Sequence, residues 1–341
     1  MNLQSSYNQA VQLHQRGSLM EAGHLYQQIL VAQPNNFVVL HLLGIVRAQQ
    51  GDNQAALHLM GAAIKINPNV ADIHCNCGNV LKSLGRNTEA LASYDRAIAL
   101  NPRSTEALNN RGIVLRDLKR FEEALVSYDR ALSAEPDYSE AWNNRGNTLL
   151  NLKRYAEALA SYDRALAARP NSAEMHSNRG DALHRLCRTG ESLASYDRSL
   201  AIRPGSASTL NNRALALMDL KRFEEALASY DRALTLQPDH PEAWNNRGNT
   251  LQLLGRLEQA LASYERAIAL QPDYAEALNN RGLTLTAMKR FEEADASHAQ
   301  ALRVNPDFAD APTDRSAAQR EREFFEEALA SYGDTLETGA P

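Results

Sequence analysis

Apolar and small residues recur along most of the chain with the period of an α-helix. In the stretch 105–138, the first half places Leu108, Gly112, Leu115 and Leu118 at spacings of four, three and three residues. The second half continues this spacing with Phe121, Ala124, Leu125, Tyr128, Ala131 and Leu132. Such spacing collects apolar side chains on one face of a helix. We therefore predict two amphipathic helices here, joined by a short turn at Lys119-Arg120.

The prolines repeat at a fixed interval of 34 residues. Nine of the twelve follow this interval, namely Pro34, Pro68, Pro102, Pro136, Pro170, Pro204, Pro238, Pro272 and Pro306. Proline lacks a backbone N–H and ends helices, so a regular proline marks a recurring helix end. The intervals define nine units: 3–36, 37–70, 71–104, 105–138, 139–172, 173–206, 207–240, 241–274 and 275–308. The stretch EAWNNRGNTL at 140–149 returns unchanged at 242–251, three units later.

Each unit is predicted to be a pair of antiparallel helices. Gly17, Gly51, Gly85 and Gly255 occupy the turn between the two halves, as expected where a helix ends in a left-handed residue. No unit of this size can bury its own apolar face, so neighbouring units must stack. We expect an elongated all-α superhelix over residues 3–308. Residues 309–341, where the pattern decays, are expected to be a degenerate tenth unit that caps the array.

Small and aromatic positions recur in the same register. The first half of most units carries a small residue at Gly44, Gly78, Gly112, Gly146, Gly180, Gly248 and Gly282, with Ala10 and Ala214 in the other two. The second half carries Tyr26, Tyr94, Tyr128, Tyr162, Tyr196, Tyr230 and Tyr264. This pattern resembles the tetratricopeptide repeat family. The resemblance implies a right-handed superhelical α-solenoid and a non-catalytic scaffold that holds an extended peptide of a partner protein in its concave groove.

One polar residue repeats without belonging to the packing pattern. Two positions before each small residue stand Asn76, Asn110, Asn144, Asn178, Asn212, Asn246 and Asn280. In the family this position lies toward the groove, and an amide can both donate to and accept from a peptide backbone. We predict that the row binds peptide. Alternatively, these side chains stabilise the helix pairs locally.

A second resemblance suggests another role. The NNRGN-type stretches are similar to the repeat arm of the O-linked N-acetylglucosamine transferases, although no catalytic domain follows residue 308. The chain would then be a substrate-recognition arm of a glycosyltransferase system. A third hypothesis is a scaffold that binds globular partners on its outer face.

Charged residues also recur. Arg111, Arg145, Arg179, Arg213, Arg247 and Arg281 each follow an asparagine of the row. We interpret them as ion-pair partners of second-half acids such as Asp95 and Asp129; an anionic ligand is the alternative. Acidic residues near the start of first halves (Glu106, Glu140, Glu174, Glu242 and Glu276) suit a helix N-terminus and would favour basic segments. Asn109 and its equivalents stand where a carboxylate clamp needs lysine, which argues against that function.

Charge and composition argue against several other classes of protein. The net charge of −5 argues against nucleic-acid binding. Three cysteines provide no disulfide framework, no apolar run is long enough to cross a membrane, and no signal peptide is visible, so we expect a cytoplasmic protein. His74, Cys75 and Cys77 are a weak zinc signal and are interpreted as ordinary helix residues. We predict no enzyme activity and no cofactor; the oligomeric state stays open.

Overall fold

The computed structural model describes residues 3–307 and 311–337, with side chains in the second stretch described for 312–327. Throughout these residues the secondary structure is helical, with short turns between helices. The helices are α1 Leu3–Gln15, α2 Leu19–Ala32, α3 Phe37–Gln49, α4 Asn53–Ile66, α5 Ala71–Ser83, α6 Asn87–Leu100, α7 Thr105–Asp117, α8 Phe121–Ala134, α9 Ser139–Asn151, α10 Tyr155–Ala168, α11 Ala173–Arg185, α12 Thr189–Ile202, α13 Ala207–Asp219, α14 Phe223–Leu236, α15 Pro241–Leu253, α16 Leu257–Leu270, α17 Ala275–Ala287, α18 Phe291–Val304 and α19 Ala311–Glu337.

The chain divides into two compact units, Met1–Asn171 and Ser172–Pro341. In each, an odd-numbered helix up to α17 (a first helix) pairs extensively with the even-numbered helix that follows it (a second helix). Each second helix then packs against the next first helix of the same unit. This alternation is the α-solenoid that the 34-residue period predicts, because each helix pair buries its apolar face on its neighbours.

The glycines of the first helices let the two helices of a pair approach closely. A Cβ atom placed on Gly112 would lie 2.5 Å from Cε1 of Tyr128, and one on Gly146 would lie 2.6 Å from Cε1 of Tyr162. Both tyrosines are fully buried. The predicted combination of a small residue on one helix and a tyrosine on its partner is therefore confirmed as direct contact.

A residue in the left-handed conformation follows the end of each first helix, as predicted for the turn between the two helices of a repeat. Gly255 has a φ of +70°, and Lys119, at the same position in another repeat, has a φ of 60°. In that repeat the amide of Lys119 donates to the carbonyl of Arg116, and the amide of Arg120 donates to the carbonyl of Leu115, both over 2.8 Å. These two bonds form the Schellman motif, which satisfies carbonyls that the helix end leaves free.

Helix α19 packs against α17 and α18. Nε of Arg315 donates to Oδ1 of Asp295 over 2.8 Å, and the rings of Phe325 and Phe291 lie 5.8 Å apart. The segment 309–341 was predicted to cap the array; residues 309–310 and 338–341 lie outside the described residues. The helix that the structure does describe is continuous, without the turn that divides the other repeats.

Candidate functional site

The first helices form the inner side of the solenoid within each unit. In Met1–Asn171, α3 contacts α5, α5 contacts α7, and α7 contacts α9; in Ser172–Pro341, α11 contacts α13, and α15 contacts α17. Successive second helices share no contact of this extent among the described residues. Because these neighbouring pairs are closer at their first helices than at their second helices, the first helices lie on the inner side of each unit.

In the first unit, the asparagine row is part of a chain of hydrogen bonds that crosses three first helices. Nδ2 of Asn144 on α9 donates to Oδ1 of Asn109 on α7 over 3.0 Å, and Nδ2 of Asn109 reaches Oδ1 of Asn110 over 3.3 Å. Nδ2 of Asn110 donates to Oδ1 of Asn79 on α5 over 2.9 Å. The hydroxyl of Tyr94 donates to the same oxygen over 2.7 Å. These amides connect neighbouring repeats.

Other members of the row make equivalent bonds. Nδ2 of Asn212 donates to Oδ1 of Asp181 over 2.9 Å, and Nδ2 of Asn280 reaches Oδ1 of both Asn245 and Asn249 over 3.1 and 3.0 Å. Asn76 bonds to Nε2 of His41 over 2.9 Å. Asn144 is buried, whereas the other six members, Asn178 and Asn246 among them, are half-buried. These hydrogen bonds agree with the alternative that the asparagine side chains stabilise the repeats locally. They join successive first helices, however, whereas the alternative placed them between the two helices of one pair.

The acceptor position of this network was not predicted from the sequence. Asn79, Asn147, Asp181 and Asn249 stand three residues after members of the row, and each accepts the hydroxyl of the tyrosine in its own repeat over 2.7 Å. The same position holds Ile113, Leu215 and Leu283 in other repeats. Because it is polar in some repeats and apolar in others, it did not stand out as a periodic signal.

Asp181 differs from its equivalents because it carries a carboxylate where they carry an amide. Its Oδ1 accepts from both Tyr196 and Asn212. Burial raises the pKa of this carboxyl above its usual range, although the two hydrogen bonds act in the opposite direction. The ionised form is therefore disfavoured in the folded protein.

The arginine row forms the partly exposed ion pairs that we predicted. Nε of Arg111 donates to Oδ1 of Asp95 over 2.7 Å, and its Nη1 donates to Oγ of Ser127 over 2.7 Å. The same arrangement recurs at Arg145, Arg213 and Arg247, whose side chains keep about a fifth of their surface exposed. Arg281 instead donates to Ser297, and burial lowers its pKa.

The residues of the weak zinc signal make ordinary helix contacts. The ring of His74 bonds to the carbonyl of Pro68 over 2.9 Å. Cys75 and Cys77 are buried, and burial raises the pKa of the Cys75 thiol to about 12.

Family models match the repeats that the structure displays. One tetratricopeptide repeat model matches residues 75–139, 110–173 and 144–207, and a second matches residues 205–273 and 241–307. Together they span residues 75–307, well over half of the chain. The chain belongs to the tetratricopeptide repeat family. Proteins of this family generally mediate protein–protein interaction as non-catalytic scaffolds.

Solved tetratricopeptide repeat structures share the fold. PilW, a widely conserved type IV pilus biogenesis factor, is 26% identical, covers 61% of this chain and 96% of its own, and has a TM-score of 0.56. PilF of Pseudomonas aeruginosa is 22% identical, with coverages of 62% and 97% and a TM-score of 0.57. A repeat protein from Parabacteroides merdae is 20% identical, with coverages of 73% and 98% and a TM-score of 0.55.

No protein with a curated description matches the tetratricopeptide repeat chain. Among the helices of the described residues, none combines the length and the apolar character that crossing a membrane requires.

Proposed function

We propose that this tetratricopeptide repeat protein is a non-catalytic scaffold that holds an extended segment of a partner protein along the row of first helices. One observation carries the proposal: the amides of the asparagine row repeat in seven consecutive repeats, and the first helices that hold them lie on the inner side of each unit. Within either unit, an extended segment placed along this face would meet a similar amide at successive repeats.

The internal hydrogen bonds of the row are compatible with this role. A carboxamide offers two N–H donors and an oxygen with two lone pairs. Nδ2 of Asn110 uses one donor on Asn79, and Asn76 bonds to His41. Bonds of this kind fix the orientation of the amides before a partner arrives, so binding loses less side-chain entropy.

The hypothesis of a glycosyltransferase arm has no comparable support. The family matches and the similar solved structures are those of repeat proteins, and they favour the scaffold. The following experiment distinguishes the proposal from the hypothesis that globular partners bind to the outer face.

The test replaces the amides and compares partner capture from cell lysate. A variant with Asn144, Asn178, Asn212 and Asn246 all changed to Ala is expected to lose partners that the original chain retains. The matched control changes four exposed residues of second helices to Ala, namely Glu122, Arg130, Glu224 and Arg232. It removes two charges of each sign and is expected to keep the partners.

Folding must be measured alongside, because the quadruple variant removes the internal hydrogen bonds of Asn144 and Asn212. Circular dichroism and thermal unfolding show whether the quadruple variant is folded at the capture temperature. A folded quadruple variant that keeps all partners would refute the proposal, and loss of partners by the second-helix control would point to the outer face.

A further inference from the structure

The first repeat carries an open groove between α1 and α2. It has a volume of about 400 Å³, and the residues that line it are Gln9, Leu13, Met20, Glu21, His24 and Leu25. In the ninth repeat the equivalent pocket has a volume of about 210 Å³. Arg281 and Leu285 line that pocket at the positions of Gln9 and Leu13, and Leu261 of α16 lines its other side. The groove of the first repeat (the α1–α2 groove) is therefore the place where a later repeat receives the preceding second helix.

A leucine of the preceding second helix occupies this place in later repeats. Leu227 of α14 lies in one apolar cluster with Leu251 of α15, and Leu261 of α16 lies in another with Leu285 of α17. Both first-helix leucines are buried, whereas Leu13, which takes their position on α1, is only half-buried. Leu13 therefore keeps apolar surface that the leucine of another second helix would cover.

The residue types at these two positions match at each junction of a second helix with the next first helix within either unit. At two junctions neither position holds leucine: Gly23 precedes Arg47, and Asp295 accepts a hydrogen bond from Nε2 of Gln319 over 2.9 Å. Leucine at one position thus goes with leucine at the other, and Leu13 predicts a partner helix that carries leucine. The six junctions with leucine at both positions are Leu57 with Leu81, Leu91 with Leu115, Leu125 with Leu149, Leu193 with Leu217, Leu227 with Leu251, and Leu261 with Leu285.

The second half of α19 carries the sequence of such a helix. FEEALASY at 325–332 repeats FEEALASY at 223–230 of α14 without a change, so Leu329 stands at the position of Leu227. Both stretches are helical, because α14 spans Phe223–Leu236 and α19 spans Ala311–Glu337. The chain therefore contains both sides of a leucine junction, one on α1 and one on α19.

The position that carries ion pairs at other junctions is neutral on both of these helices. Asp231 of α14 pairs with Arg247 of α15 over 2.6 Å, and three other junctions repeat this pair. In its place α19 has Gly333 where the acid stands, and α1 has Gln9 where the arginine stands. A contact between α19 and α1 therefore avoids the penalty of an unpaired charge at this position.

We infer that the second half of α19 from one copy of the chain packs into the α1–α2 groove of a second copy, with Leu329 against Leu13. The groove and the helix are different surfaces, so the contact is heterologous, and each dimer keeps one free groove and one free helix. Further copies add head to tail as the concentration rises. This self-association goes beyond the proposed function, because it does not involve the asparagine row.

Analytical ultracentrifugation of the full chain tests this contact. The area that one helix buries in one groove is small for a protein interface, so the measurement extends to about 200 µM. The weight-average mass is expected to rise above that of one chain as the concentration increases.

Two variants each remove one side of the contact. Leu13→Arg places in the groove the residue that the second repeat has at this position, Arg47, so the fold is expected to persist. Leu329→Arg places a charge on α19. Each variant alone should self-associate at least about tenfold more weakly than the original chain, because a buried charge replaces a leucine. The matched control, Leu253→Arg, changes a leucine of α15 that is 59% exposed and should leave self-association unchanged.

A mixture of the two variants distinguishes a head-to-tail contact from other modes of self-association. The Leu13→Arg chain keeps its original α19, and the Leu329→Arg chain keeps its original groove, so an equimolar mixture should form dimers. Growth should stop there, because a further contact would bring two arginines together. Circular dichroism verifies folding, and Met20→Arg, at a groove residue that is 77% exposed, replaces Leu13→Arg if that variant unfolds.

The possible results separate the modes of self-association. An original chain that stays monomeric at about 200 µM, or a mixture of variants without dimers, would overturn the inference. Self-association of the Leu329→Arg chain alone would show that two grooves pair, and self-association of the Leu13→Arg chain alone would show that two α19 helices pair. Either result excludes the head-to-tail contact, as does equal weakening by Leu253→Arg. Loss of self-association in both variants, together with dimers in their mixture, would establish it.

Discussion

At the scale of single residues, contact between glycine and tyrosine decides how closely the two helices of a repeat approach. Gly146 faces the ring of Tyr162, which is fully buried. Ala214 takes the glycine position in the repeat of Tyr230, and both residues are fully buried. In the repeats that carry glycine, the tyrosine ring occupies the space that a Cβ would need.

Replacement of Gly146 by Ala is expected to lower the free energy of unfolding by about 1–3 kcal/mol, because the new Cβ overpacks against Tyr162. Chemical denaturation followed by circular dichroism measures the change. Gly61→Ala is the control: a Cβ there meets nothing within 4 Å inside α4, and better helix propensity should stabilise the protein by up to about 1 kcal/mol. Equal effects of the two variants would contradict the packing argument.

Replacement of Asp181 by Asn is expected to stabilise the protein at pH 7. Burial raises the pKa of Asp181, so the folded state disfavours its ionised form, and the penalty grows as pH rises from the unfolded pKa to the folded pKa. Below both values the carboxyl is protonated in either state and the penalty vanishes. Asparagine fits, because Oδ1 of Asn79 accepts from a tyrosine and a row asparagine in the same way.

Thermal unfolding of the Asp181→Asn variant across pH provides the measurement. Its melting temperature should exceed that of the original chain at pH 7, and the two should converge near pH 3. The exposed ion-pair residue Asp129 provides a control, since Asp129→Asn should change stability by less than about 1 kcal/mol. An Asp181→Asn variant that is less stable than the original chain at pH 7 would show that the hydrogen bonds outweigh desolvation.

At the scale of elements, one left-handed residue ends the first helix and starts the turn. Gly255 adopts this conformation without steric cost, whereas Lys153 adopts it with a φ of 59°. A Cβ on Gly255 would meet nothing within 4 Å, so only the backbone conformation opposes a larger residue there.

Gly255→Ala is expected to lower the free energy of unfolding by about 1 kcal/mol, because the left-handed conformation is strained for alanine. Lys153→Gly, the reciprocal change, should be neutral or stabilising by up to about 1 kcal/mol, since relief of strain exceeds the entropy cost of glycine. Both values come from denaturant unfolding. Stabilisation by the alanine would show that the turn tolerates another conformation.

At the scale of the whole molecule, α19 packs against α17 and α18, the helix pair that precedes it. Both polar and aromatic contacts hold α19 in place. Nδ2 of Asn279 donates to Oδ2 of Asp314 over 2.7 Å, Asp295 pairs with Arg315, and the ring of Phe325 contacts that of Phe291. The cap predicted for 309–341 would therefore act through both charge and apolar area.

Deletion of residues 309–341 is expected to lower the melting temperature or the solubility, because it exposes the side of α17 and α18 that α19 contacts. Differential scanning fluorimetry and analytical size-exclusion chromatography measure the two effects. As a milder control, Arg315→Ala removes one ion pair and should cost less than about 1 kcal/mol. A truncated chain that stays monomeric and equally stable would exclude a capping role.

Much of the fold could be predicted from the sequence because its signals are local. The helical period within 105–138, the turn at Lys119-Arg120 and the recurring prolines each act over a few residues, and the structure places α7 and α8 accordingly. The ion pairs of the arginine row were also predictable, since Arg111 and Asp95 keep a constant spacing in successive repeats.

The partners of the asparagine row were not predictable in this way. Asn110 bonds to Asn79, 31 residues earlier, whereas Asn144 bonds to Asn109, 35 residues earlier. The choice follows from the residue that the preceding first helix presents, an amide at Asn79 but an apolar side chain at Ile113.

Periodicity by itself thus determined which residues form helices, where the helices end and that the pairs must stack, since these depend on local propensity and on apolar faces. Only the tertiary structure decided which amide meets which oxygen, because hydrogen bonds require an approach within about 3 Å that the distance between stacked first helices controls.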